Sequence, residues 1–191
     1  MERLWIMLAG YFKKIGMRRF TVMAIGNLFL GMGISIFKLS GLGNDPFSGM
    51  VMALSDRTGI TYALFLVMVN AVLFLYEITA GRKLIGAGTL INAFLLGYIV
   101  TFFYDIWLTF IGTPEQMPQR VITVLTGVII TSFGVSLYQY PNVGVAPYDS
   151  ISLIWCRKKP HVPYFWYRIS TDTFCALVCW LSGGIIALGT L

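Results

Sequence analysis

Two stretches 101 positions apart constrain this chain most: GLGNDPF, Gly41 to Phe47, and NVGVAPY, Asn142 to Tyr148. Each follows a long apolar run, precedes a short one, and sets a glycine, two variable residues, a proline and an aromatic ring in the same order. Glycine frees the backbone and proline locks φ, so each stretch reads as the end of one helix and the start of another. Carried outward without a gap, the offset sets Arg19 on Arg120, Gly26 on Gly127, Gly33 on Gly134, Ser35 on Ser136, and Ile85, Gly88, Thr89 and Leu90 on Ile186, Gly189, Thr190 and Leu191. With the glycine and proline of the two motifs these make 10 identities in 72 positions, residues 19–90 against 120–191. Half of them fall on glycine or proline, the residue types that fix backbone geometry, so the chain reads as two copies of one unit.

The copies are built for lipid. With 57% hydrophobic residues, 12% charged and a mean hydropathy of +0.77, this is a polytopic membrane protein. The net charge of +6 would suggest nucleic acid in a soluble chain. Here the basic residues gather in short loops, the pattern of cytoplasmic anchoring beside anionic lipid, and no nucleic-acid partner is expected. Cys156, Cys175 and Cys179 have no metal-ligand spacing with the lone His161 and read as free thiols. Residues 1–19 have too short an apolar core for a cleavable signal peptide and read as an interfacial segment.

Taken in order, repeat one covers 20–111, a polar connector 112–119, and repeat two 120–191. Repeat one begins with a span from Phe20 to about Leu39, in which Gly26, Gly31 and Gly33 allow another helix to approach closely. Asp45 then reads as an N-cap with Pro46 at the first helical position, opening a short helix to about Leu54. Too short to cross, this helix must dip in and return on the same side, with protein or a watery cavity around its exposed backbone. Spans follow at Thr61 to about Thr79 and at 85–111. Repeat two spans Arg120 to about Gln139, makes a second short helix from about Tyr148 to Trp155 behind Pro147, and spans again from about Pro163 to Leu181. Asp149 sits in the first turn of that second short helix, where a carboxylate suits the helix dipole.

An odd number of spans per unit turns the second copy upside down, and the charges agree. The basic turn AGRKL of copy one aligns with the uncharged LSGGI of copy two, while SDRTG aligns with CRKKP. Every strongly basic loop then falls on one side, the cytoplasmic side, together with the N-terminus. The fold expected is all-α, two inverted three-span repeats with short re-entrant half-helices. Copy one continues for about twenty apolar residues after Gly88-Thr89-Leu90, whereas copy two has no counterpart, so its last span is expected to be absent by truncation.

Two half-helix starts meeting from opposite sides form the arrangement by which secondary transporters hold a solute, because helix N-termini present free N–H groups and partial positive charge. The substrate-binding candidates are Asn44, Asp45 and Pro46 at one start and Tyr148 and Asp149 at the other. Asn70 and Thr171 join them, since the offset sets these two at matching depth. Arg168 and Asp172 lie four apart on one helical face inside a span, where a charge is costly, and are the candidates for coupling or gating. Structural readings stand beside each: an ion pair, interhelical hydrogen bonding, a capped turn. The sequence has no HExxH, GxSxG, dinucleotide or P-loop pattern, and no acidic cluster for magnesium. No enzyme activity, cofactor or metal is expected.

The two motifs resemble those of the YczE/YyaS/YitT-type bacterial integral membrane proteins. The resemblance rests on Gly41, Leu42, Gly43, Pro46 and Phe47, on Gly144, Val145, Pro147, Tyr148 and Asp149, and on Gly86, Gly88 and Thr89. It covers nearly the whole chain and implies a plasma-membrane protein of five or six spans, in a family without an established activity or substrate. The function expected is a small secondary transporter for an anionic or zwitterionic solute, working as a homodimer or beside a partner membrane protein. The alternative is a non-transporting subunit that captures substrate or aids assembly for another protein.

Overall fold

A computed structural model describes residues 16–187, 189 and 190, and among these it is helical throughout, with no strand. Seven α-helices follow one another: α1 Met17–Ser40, α2 Pro46–Thr58, α3 Tyr62–Ala80, α4 Ala87–Phe110, α5 Met117–Gln139, α6 Pro147–Lys158 and α7 Tyr164–Leu181. A 3-10 turn, Arg82–Leu84, precedes α4. The proposed interfacial segment falls, up to residue 15, outside the described residues.

Both short helices start at the expected prolines, and the backbone explains it. Asp45 caps α2 through Oδ2, which accepts from the Ser48 N–H at 3.0 Å, and Pro46 opens the first turn. The far ends differ from expectation. Without a breaker before Gly59, which takes φ +72, α2 continues past Leu54 to Thr58. In the same way α6 runs past Trp155 to Lys158, two residues before Pro160. Since Pro118 fits a first helical turn, α5 starts ahead of Arg120, and the connector expected at 112–119 ends at Gln116. The third span starts at Ala87 rather than 85 because the 3-10 turn intervenes.

Among the described residues, α1, α3, α4 and α5 are long and apolar enough to cross a membrane. The span expected at Pro163 to Leu181 is a helix of 18 residues, Tyr164–Leu181, but it does not reach that apolarity. Arg168, Asp172 and its hydroxyl residues account for the difference.

The frame is set by the crossing of α1 and α5. They run antiparallel with glycine at the points of closest approach: a Cβ on Gly26 would lie 2.3 Å from the Tyr138 backbone nitrogen, and one on Gly134 would lie 2.4 Å from that of Leu30. On its other side α1 meets α4 in parallel, through Asn92 Nδ2 to Asn27 Oδ1 at 3.1 Å and Trp107 Nε1 to Ser35 Oγ at 3.0 Å. The second span, α3, then packs antiparallel on α4. The half-helix α2 lies against α7 and α3, while α6 lies against α3 and α7.

The motif loops exchange hydrogen bonds between the two halves of the sequence. The Gly88 N–H donates to the Val143 carbonyl at 2.9 Å, and the Gly189 N–H donates to the Leu42 carbonyl at 3.0 Å. At offset 101 these two bonds are counterparts. Gly43 and Gly144 take φ +88 and +115 beside them, a conformation that favours glycine.

The ends of the bundle differ in charge. Arg18, Arg19, Arg82, Lys83, Arg157, Lys158 and Lys159 belong to the end where α1 and α4 start and α3, α5 and α6 finish, whereas Lys38, Arg57 and Arg120 at the other end are balanced by Asp56, Asp105 and Glu115.

Filling the crossing should unfold this frame. Gly26→Leu is expected to destabilise the purified protein by at least about 1–3 kcal/mol in thermal unfolding in detergent. Gly49→Ala, where the nearest atom to an added Cβ is 3.6 Å away, should be neutral or stabilising by up to about 1 kcal/mol.

Candidate functional site

The start of α6 and the middle of α7 build a connected set of charged and aromatic side chains. Arg168 spans two carboxylates: Nη1 donates to Asp149 Oδ1 at 2.5 Å and Nε donates to Asp172 Oδ2 at 3.0 Å. The second bond is the i,i+4 contact that the helical spacing requires. Tyr148 closes the ring by donating from Oη to Asp172 Oδ1 at 2.5 Å, and the Arg168 guanidinium lies 4.8 Å from the centre of its aromatic ring. Asp149 accepts on Oδ2 from the Tyr138 hydroxyl and, at 3.3 Å, from Gln139 Nε2. The end of α5, the start of α6 and the middle of α7 are thereby tied to one guanidinium.

The start of α2 reaches the same place. Phe47 stacks on Tyr148 with centroids 4.2 Å apart and planes 11° from parallel, so the aromatic residues that end the two motifs face each other. Asp45 lies within electrostatic reach of Arg168 and Asp172, although its own Oδ2 caps α2 and its buried Oδ1 has no hydrogen-bond partner among the described residues. With Asp45, Asp149 and Asp172 against Arg168, carboxylates outnumber the cation. The first turn of α6 carries no side-chain cap, its N-cap being Ala146.

Not every candidate joins this set. Asn44 turns away: its Nδ2 donates to the Ile34 carbonyl at 3.3 Å and its Oδ1 accepts from the Asp45 N–H, which fixes the loop before Pro46. Asn70 donates to the Ala93 carbonyl of α4 at 3.4 Å, an interhelical bond. Thr171 lies behind the cluster, its hydroxyl 3.2 Å from that of Ser152, and it interacts with Tyr148. Pro46 acts through the backbone, as the first residue of α2.

Three members were not singled out from the sequence. Phe47 carried a signal, since it aligns with Tyr148. Tyr138 aligns with Phe37, so only its extra hydroxyl in an apolar span marked it, and Gln139 lies at the end of the same helix.

Beside α2 lies a cavity of about 700 Å³ lined by Lys38, Asn44, Met52, Asp56, Tyr62 and residues 181–185. It shares Asn44 with the candidates but does not reach Arg168 or Asp172. No group of three or more His, Cys, Asp or Glu placed to hold a metal occurs among the described residues. The three cysteines are free thiols.

The model of a family of unknown function, DUF6198, matches residues 17–191. An uncharacterised protein of Haemophilus influenzae is 28% identical over 164 residues, 85% of this chain and 72% of the relative. The uncharacterised protein YyaS of Bacillus subtilis is 28% identical over 142 residues, 71% of this chain and 67% of the relative. The uncharacterised membrane protein YczE of the same organism is 24% identical over 174 residues, 91% of this chain and 79% of the relative. No solved structure matches the chain.

Because one guanidinium holds two carboxylates, the variants should rank. Arg168→Met leaves Asp149 and Asp172 facing each other and should lower stability by about 1–3 kcal/mol more than Asp149→Asn or Asp172→Asn alone. Thermal unfolding of the four purified proteins in one detergent checks the order.

Proposed function

Since the chain belongs to the DUF6198 family of unknown function, we propose its role from the site: a small secondary transporter that holds a zwitterionic solute between the starts of α2 and α6. One observation carries this reading. Two half-helices from different halves of the chain bring their first aromatic residues, Phe47 and Tyr148, face to face beside Arg168, Asp149 and Asp172. Helix starts at such depth are the common ligand-holding device of membrane transporters. Charge narrows the solute class. Asp45 already caps α2, and carboxylates outnumber the guanidinium, so a free anion would meet repulsion. A zwitterion can set its ammonium against Asp172 or Asp149 and its acidic group on the uncapped N–H groups of α6.

Alternating access through two inverted repeats belongs to the same proposal. The paired loop bonds, Gly88 to Val143 and Gly189 to Leu42, support it, because an in-plane two-fold axis exchanges one for the other. The end bearing seven basic residues is then the cytoplasmic one, with the N-terminus on that side of a bacterial plasma membrane. No enzymatic step is proposed: the reading rests on the site's binding groups, a guanidinium, its carboxylates and two stacked aromatic rings.

The test is flux. Purified protein in liposomes is offered radiolabelled zwitterionic amino acids and betaines one at a time, with Asp172→Asn as control. At least one solute should accumulate or exchange, and Asp172→Asn should reduce its flux at least about tenfold by removing the anchor of both Arg168 and Tyr148. Saturable binding without flux would favour the non-transporting subunit, and neither binding nor flux for any zwitterion would reject the proposed solute class.

A further inference from the structure

Away from this cluster the bundle buries one more acid, Glu77, near the end of α3. It has no exposed surface, and neither Oε1 nor Oε2 has a hydrogen-bond partner among the described residues. An ionised carboxylate with no donor in a membrane interior is among the costliest groups a fold can hold. Ser150, in the first turns of α6, interacts with it, and the Ser150 hydroxyl donates to the Pro147 carbonyl at 2.7 Å.

The charged groups on the surrounding elements do not supply a counter-ion. On α6, Asp149 is engaged by Arg168, while Arg157 and Lys158 lie at the helix end. On the turn after α3, Arg82 Nε donates to the Ile78 carbonyl at 2.9 Å, and Lys83 lines a shallow recess with Arg82, Arg157 and Thr79 to Gly81. Asp56 and Arg57 of α2 and Asp105 of α4 belong to the opposite end of the bundle. Two contacts shut the recess off from Glu77: Ile154 packs on Gly81, and Trp155 Nε1 donates to Tyr76 Oη at 3.0 Å.

We infer that Glu77 is a proton-binding site, kept neutral while the half-helix α6 packs against α3 and denies it water. Loss of the proton breaks the Glu77 O–H bond, passes H⁺ to water in the recess, and leaves a carboxylate that needs solvation. The hydration follows when α6 parts from α3 and opens the recess, whose Arg82, Lys83 and Arg157 then face the new charge. Because α6 also carries Tyr148 and Asp149, proton release at Glu77 repositions one wall of the candidate solute site. The proton site itself rests on the α3 and α6 packing and stands whether or not a solute is moved.

The experiment is infrared spectroscopy of the full chain in lipid vesicles through a pH series, comparing the native protein with Glu77→Gln. The native protein should show a carbonyl stretch of a protonated carboxylic acid at neutral pH that is missing from Glu77→Gln and fades as the pH rises. In parallel, the labelling rate of a cysteine probe at Thr79, divided by the rate of the same probe in Glu77→Gln to remove the thiol's own pH dependence, should rise on the alkaline side. Identical carboxylic-acid bands in the native and Glu77→Gln proteins at neutral pH would overturn the proton site. Alkaline labelling unchanged by Glu77→Gln would overturn its control of α6. A solute that fails to move in liposomes, with the band and its titration present, would count against transport alone.

Discussion

The close approach of α1 and α5 is the constraint on which the other contacts depend. Side chains larger than hydrogen at Gly26, Gly33 or Gly134 would push the two helices apart, since a Cβ there would lie 2.3, 2.6 and 2.4 Å from the backbone nitrogens of Tyr138, Thr131 and Leu30, and at Gly33 also 2.2 Å from Thr131 Oγ1. Without an inter-helix hydrophobic drive in lipid, packing of small residues is what holds such a crossing. The motif loops follow directly from it. Because α1 and α5 lie antiparallel in contact, the loop after each is delivered to the glycine-threonine segment of the opposite half, where Gly88 and Gly189 bond the Val143 and Leu42 carbonyls. Those loops in turn aim α2 and α6 at each other.

On this paired frame the chemistry is one-sided. At offset 101, Phe47 faces its own counterpart Tyr148, but Ser48 stands where the second half has Asp149, Val67 where it has Arg168, and Ala71 where it has Asp172. The reverse holds for Asp45, whose counterpart is Ala146, and for Glu77, whose counterpart is Val178. One half therefore supplies an ion network that is self-satisfied, with every carboxylate on Arg168 or a phenol. The other half supplies two acids with oxygens that have no hydrogen-bond partner among the described residues, Asp45 and Glu77. A satisfied network fixes geometry, whereas an orphaned acid must be neutral or find a partner from outside.

Much of this was legible in the sequence because it is written in backbone-determining residues. Proline behind a glycine loop fixes where a helix begins, and both short helices begin there. Their far ends were misjudged because nothing local stops a helix before Gly59 or Pro160, and tertiary contacts carry it on to the available breaker. The Arg168 and Asp172 contact follows from helical spacing. Asp149 as a second partner of the same guanidinium does not, because it depends on how α6 lies on α7. Asn70 and Thr171 show the limit of the repeat: at equivalent positions the helix each one faces differs, so Asn70 bonds α4 while Thr171 backs the cluster. Glu77 looked unremarkable as an acid three residues from a helix end, and only the packing of α6 over it removes its water.

The measurement that bears most directly on the account is side-specific labelling of two single cysteines. In a background with Cys156, Cys175 and Cys179 replaced, Lys83→Cys probes the basic turn after α3 and Ser182→Cys probes the segment after α7. A membrane-impermeant maleimide applied to right-side-out and inverted vesicles reads the side of each. The account requires opposite sides, with Lys83→Cys labelled from the cytoplasm. Labelling of both from the same side would contradict the inverted arrangement of the two halves, and with it the meeting of α2 and α6 from opposite faces of the membrane.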